Sequence, residues 1–229
     1  QVSYFLLKQS FLSAGNRMKK IEHKSTEWIF QFWAWQLLFW ALYRYFFKFP
    51  EWTDEFIFKP IVFVFPVLWY VIQKERQTLA SIGLTTNHLW RNILIGLGVS
   101  TIFIVEGMIV NVSKHGHLVL QPLVLYMLIL SLVTAFSEEL LCRGFFFSRL
   151  LTQTKKIWYA IIVATLMFMA FHIPILVTTL KFQGPTLILF FWTTLSLGII
   201  NSIFYLQTKS LVIPILIHLF WNVTVAVLL

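Results

Sequence analysis

The sequence predicts an all-α fold: a polytopic membrane helix bundle of about seven transmembrane helices, preceded by an N-terminal interfacial helix. Three observations predict it. The 229 residues are 59% hydrophobic and 12% charged, where soluble domains average roughly 45–50% and about 25%. The mean hydropathy is +0.79. The apolar residues also gather into blocks long enough to cross a bilayer, which takes about 17–25 residues per helix.

The elements follow in order. Ahead of residue 28, Phe5, Leu6 and Leu7 lie beside Lys8, and Arg17, Lys19 and Lys20 follow, the mixture of an interfacial helix. No clean apolar block of a cleavable signal peptide stands there. The chain begins at Gln1 rather than Met, so further residues are expected ahead of it. The spans expected are 28–47, 56–73, 92–112, 119–141, 157–176, 185–206 and 211–229. The acidic Glu51, Asp54 and Glu55 separate the first two, and a polar break from Lys74 to Arg91, holding Gly83, ends the second. The fourth and fifth form a hairpin turning near Thr154, Lys155 and Lys156, and the last two turn near Thr208 and Lys209. Gly96 and Gly98 suit close helix packing. The ten Trp and 24 Phe suit lipid contact and interfacial belts. The break divides the chain into an N-terminal membrane region, 1–91, and a core at 92–229.

The net charge of +9 is read as basic loops beside an anionic leaflet, not as nucleic-acid binding. With a cytoplasmic N-terminus, most of the Lys and Arg, from Lys8 to Lys24 and then Lys74, Arg76, Arg91, Arg143, Arg149, Lys155, Lys156 and Lys209, fall on the cytoplasmic side. Arg44, Lys48, Lys59, Lys114 and Lys181 fall on the other, and the C-terminus is expected outside.

Polar residues inside lipid-spanning helices are costly, and by default they mark function. Three groups stand out: Glu138 and Glu139 with Arg143, Phe168 with His172, and His218 with Asn222. At 1.5 Å per residue, Glu138 and His172 each lie about 25 Å from the hairpin turn, so they face each other at one level. His218 lies about 14 Å from its own turn, with Asn222 one turn deeper. Neighbouring residues on a helix point about 100° apart, so Glu138 and Glu139 take different roles. Glu139 and Arg143, at i and i+4, are assigned to mutual neutralisation. Glu138 is left facing the cavity as a general base, with His172 sharing its proton or holding the water. Asn222 projects on the side of His218, and an amide suits an oxyanion or a water. Phe145, Phe146 and Phe147 beside Arg149 are candidates to line an entrance from the cytoplasmic side.

Other chemistries lack their signatures. A single cysteine, Cys142, builds neither a disulfide framework nor a cysteine zinc site. His-Glu-x-x-His and Gly-x-Ser-x-Gly are absent, and Asp54 is the only aspartate. No cofactor is expected. Zinc is compatible with Glu138, His172 and His218 as ligands, but the usual ligand spacing is missing.

Glu138-Glu139-Leu140-Leu141-Cys142-Arg143, Phe168-Met169-Ala170-Phe171-His172 and His218-Leu219-Phe220-Trp221-Asn222, in this order on membrane helices, resemble the CAAX protease and bacteriocin-processing family of intramembrane proteases, also called the Abi family. The resemblance covers about residues 120–229, and Leu79–Leu84 is similar to the family's upstream region. It implies a protease that uses Glu138, His172, His218 and Asn222, with Glu139, Arg143 and Phe168 supporting them. It leaves open glutamate-activated water or a bound metal. It also implies membrane-anchored or hydrophobic peptide substrates: CAAX-type proteins, peptide pheromones or bacteriocins. The rival expectations are a non-catalytic bacteriocin-immunity or scaffold protein and a proton-coupled transporter; no repeat supports the latter.

Overall fold

The computed structural model describes residues 25–121 and 123–228. The expected interfacial helix, with Phe5 to Lys20, lies outside them. Seven long helices occur among the described residues. They are α1 Glu27–Phe46, α2 Glu51–Lys74, α3 Leu89–His115, α4 Val124–Thr154, α5 Ile157–Leu180, α6 Gly184–Thr208 and α7 Val212–Leu228. Helices α2 to α6 are each long and apolar enough to cross a membrane. Helix α7 is apolar but shorter, and α1 is diluted by Trp, Tyr and Gln. The chain is therefore an all-α polytopic bundle of the kind the sequence predicts.

Helix boundaries follow local chemistry. Gly116, in the left-handed region at φ 75°, ends α3. Pro185 sits in the first turn of α6, where its missing N–H costs nothing. Lys209 at φ 53° ends α6, and Ser210 Oγ then accepts a 3.3 Å bond from the Val212 N–H to start α7. Between α2 and α3 a 3₁₀ turn at Leu79–Ile82 ends on Gly83 at φ 82°. A Cβ on Gly83 would lie 2.5 Å from the Tyr205 ring, so glycine is required there twice over.

Helix α7 packs most extensively on α3 and then on α4, α5 lies against α6, and α1 lies against α5. Close approach uses small residues, since lipid supplies no hydrophobic drive between helices. A Cβ on Gly96 of α3 would lie 2.7 Å from Leu216 of α7, and one on Gly198 of α6 would lie 2.5 Å from Thr165 of α5. Gly98, expected to do the same, faces open space.

Three expectations need correction. Trp40 is buried rather than lipid-facing, and Trp33 is half-buried. Their indole N–H groups donate to the backbone carbonyls of Met167 and Phe171 on α5, at 3.3 and 3.2 Å, because a buried donor needs a partner. Phe145, Phe146 and Phe147 line no entrance. All three are fully buried, and Phe145 packs among Trp28, Phe32 and Tyr70. Lys59 and Arg149 are not loop charges: Arg149 is buried on Glu75, at 2.5 Å, and on the Ser81 carbonyl, at 3.2 Å. Lys59 lies at the centre of the site.

Candidate active site

The site is built on α4. Glu138 and Glu139 stand midway along it, just before the helix widens into π-helical turns at Leu140–Phe147, a distortion common at functional sites. As the 100° offset requires, the two carboxylates serve different neighbourhoods.

Glu139 is completely buried. Its Oε1 accepts from Nδ1 of His218 at 2.8 Å, from Asn201 on α6 at 3.0 Å and from Arg143 one turn on at 3.2 Å. Asn201 also donates to the Pro214 carbonyl at 3.3 Å. The Arg143 guanidinium lies 4.2 Å from the Phe168 ring centre, a cation–π contact. The expected pairing of Glu139 with Arg143 is therefore present, but His218 and Asn201 share the same oxygen. Phe168 packs edge-on against the rings of both His172 and His218.

Glu138 is 8% exposed. Its Oε2 lies 3.7 Å from Nε2 of His172 on α5 and 3.8 Å from Nε2 of His218 on α7. The three side chains expected to meet from three helices do meet. His172 Nδ1 is 3.0 Å from the Phe168 carbonyl, an acceptor, so Nδ1 carries the proton. His218 Nδ1 faces the Glu139 carboxylate, so it too is the donor. In each neutral ring Nε2 is then a lone pair. Glu138 Oε2 is also buried without a hydrogen-bond partner among the described residues. Three acceptors thus converge on one spot, and acceptors converge favourably only around a donor or a cation.

Two residues at the site escaped the sequence reading. Lys59 of α2 donates from Nζ to Glu138 Oε1 at 2.9 Å and to Glu55 Oε1 at 2.7 Å, while Thr134 holds Glu55 Oε2 at 2.6 Å. The Glu55–Lys59 spacing of i and i+4 inside an apolar span was the signal available for Lys59. For Asn201 the signal was a lone amide in the middle of a span. Asn222 stands one turn beyond His218, half-buried and without a hydrogen bond among the described residues. Cys142 is buried on the same helix and free.

Glu138, His172 and His218 are the residues a metal ion would use. Among the described residues, however, no group of three or more His, Cys, Asp or Glu is spaced to hold one. A divalent cation there would also share Glu138 with the Lys59 ammonium, 2.9 Å from the same carboxylate.

Residues 120–224 match the family of type II CAAX prenyl endopeptidase Rce1-like proteins. The match spans the Glu138, His172 and His218 motifs and leaves out α1, α2 and α3. The family read from the three motifs and the family matched over this region are the same, the CAAX proteases, a group of membrane proteases. No curated protein and no solved structure matches the chain.

Proposed function

We propose that this multi-pass membrane protein is an intramembrane endopeptidase in which Glu138 activates water. The observation that carries the reading is that His172 Nε2 and His218 Nε2 both lie within 3.8 Å of Glu138 Oε2. A water molecule there donates its two protons to two of the three acceptors and keeps a lone pair for attack.

The chemistry then balances on this chain's own residues. The water oxygen bonds to the scissile carbonyl carbon, its proton passes to Glu138 Oε2, and the carbonyl π electrons move to the oxygen. The oxyanion is received by the Asn222 amide, while His218, its Nδ1–H held by Glu139, keeps the Nε2 lone pair on the attacking water. On collapse the C–N bond breaks, and Glu138, with His172 beside it, returns the proton to the leaving amine.

Glu138 lies 16 residues before Thr154, about 24 Å along α4, so the cleavage site is deep. The substrate that suits this depth carries an apolar or lipidated anchor and presents a peptide bond at the level of the cluster. With the N-terminus cytoplasmic, the basic turn at Lys155 and Lys156 faces the cytoplasm, and water and substrate enter from that side. The catalytic core spans 92–229.

The test is cleavage of an anchored peptide by the purified protein in lipid nanodiscs. Glu138→Gln loses activity by about 10²–10⁴-fold, the usual cost of a missing general base, and keeps the fold. Cleavage by Glu138→Gln at the parent rate overturns the reading.

A further inference from the structure

Lys59 lies on α2, outside the region that matches the family, and the roles assigned above do not use it. Lys59 is 5% exposed. It bridges Glu138 Oε1 at 2.9 Å and Glu55 Oε1 at 2.7 Å. Glu55 is anchored in turn by Thr134 of α4 at 2.6 Å, so the bridge is fixed at both ends. Glu55 and Lys59 stand one turn apart, so α2 presents a preformed carboxylate–ammonium pair to α4.

Lys59 contacts one oxygen of Glu138 only. The other, Oε2, is left without a hydrogen bond and is the oxygen that faces His172 and His218. A carboxylate free to turn about its last bond would swing its oxygens out of line with the two histidines, and the terminal torsion of Glu is broad. The 2.9 Å contact removes that freedom. A purely structural charge partner for Glu55 would not need to reach across to α4.

We propose that Lys59 is a positioning residue of the active site: by holding Glu138 Oε1 it presents Oε2 to the water between the two histidines. This rests on the proposed function of Glu138 as the base. Lys59 takes no part in bond making and acts through the orientation and the counter-charge of Glu138.

The experiment compares variants in nanodiscs with the same anchored peptide. Lys59→Met alone would strand two buried carboxylates, so it is paired with Glu55→Gln, which leaves the net charge of the trio unchanged. The double variant lowers kcat by about 10- to 100-fold, the usual cost of removing a supporting partner of a reacting group, and leaves KM unchanged. Glu55→Gln alone, whose amide oxygen can still accept from Lys59, sets the reference kcat, and Lys59→Arg, which keeps the cation, retains most of the parent kcat. If the Met double variant does not fold, Lys59→Gln with Glu55→Gln, two amides able to pair with each other, is read in the same way.

A double variant with the kcat of Glu55→Gln, or with a higher one, overturns the proposal, the latter marking Lys59 as a restraint on the base. Glu138→Gln is measured alongside. If it is inactive while the double variant is fully active, only the role of Lys59 falls. If Glu138→Gln is itself active, the role of Glu138 falls and that of Lys59 with it.

Discussion

Glu139 of α4 accepts a 2.8 Å hydrogen bond from Nδ1 of His218 on α7. One oxygen thereby ties the two helices together, fixes the histidine's tautomer and receives Arg143 and Asn201 as well. The second glutamate of the pair is therefore more than a partner for the arginine.

It follows that Glu139→Ala is a folding defect first. It leaves the Arg143 guanidinium buried and unpaired, and breaking a buried pair costs about 3–5 kcal/mol. The expected result is a large drop in the thermal melting temperature in detergent. Glu138→Gln is expected to melt close to the parent. Equal melting temperatures for Glu139→Ala and the parent would remove Glu139 from the framework.

Asn222 behaves in the opposite way. It makes no hydrogen bond among the described residues, so Asn222→Ala leaves the melting temperature in place. As an oxyanion donor it supplies about 10²–10³ in kcat. Steady-state cleavage kinetics check this: an unchanged kcat takes Asn222 out of the mechanism.

Gly198 is where α6 meets α5. Its Cβ would lie 2.5 Å from Thr165 Cγ2 and 3.2 Å from an Arg143 nitrogen. Gly198→Ala therefore overpacks the helix pair that supports Arg143, at a cost of about 1–3 kcal/mol. Adding Thr165→Ser, which removes the methyl in the way, recovers part of it. A thermal melt of the three proteins decides, and a Gly198→Ala protein as stable as the parent contradicts the packing.

Lys209, in the turn between α6 and α7, has its pKa lowered by burial to about 8. A group whose folded pKa lies below its unfolded value of about 10.4 binds fewer protons folded than unfolded. It destabilises the fold fully below pH 8, and the penalty fades as pH rises towards 10.4. Melting temperatures taken from pH 7 to 10 should rise relative to those of Lys209→Met, which lacks the penalty. A constant difference between the two proteins across this range counts against the buried cation.

The helices were legible in the sequence because hydropathy reports span length directly. The three motif pairs were legible because an ionisable residue in an apolar run is conspicuous. Helical spacing also placed Glu138 and His172 at one depth, and they stand 3.7 Å apart. What was not legible was contact across the fold. Lys59 and Glu138 are 79 residues apart in the chain, and from the sequence Lys59 reads only as one of the basic residues of the outer side. Asn201 and the buried Phe145–Phe147 run failed for the same reason. Hydropathy separates apolar from polar, but it does not tell lipid from protein as the neighbour, nor which polar group has a partner.

The central claim is that a water molecule sits between Glu138 and the two histidines. A high-resolution experimental map of the protein in nanodiscs, with anomalous data at transition-metal edges, tests it most directly. The account predicts one peak without anomalous signal, within about 2.6–3.2 Å of Glu138 Oε2 and at least one histidine Nε2, hydrogen-bond reach for a general base. An anomalous peak at about 2.0–2.2 Å from the same atoms, the distance of a zinc ligand, would contradict it.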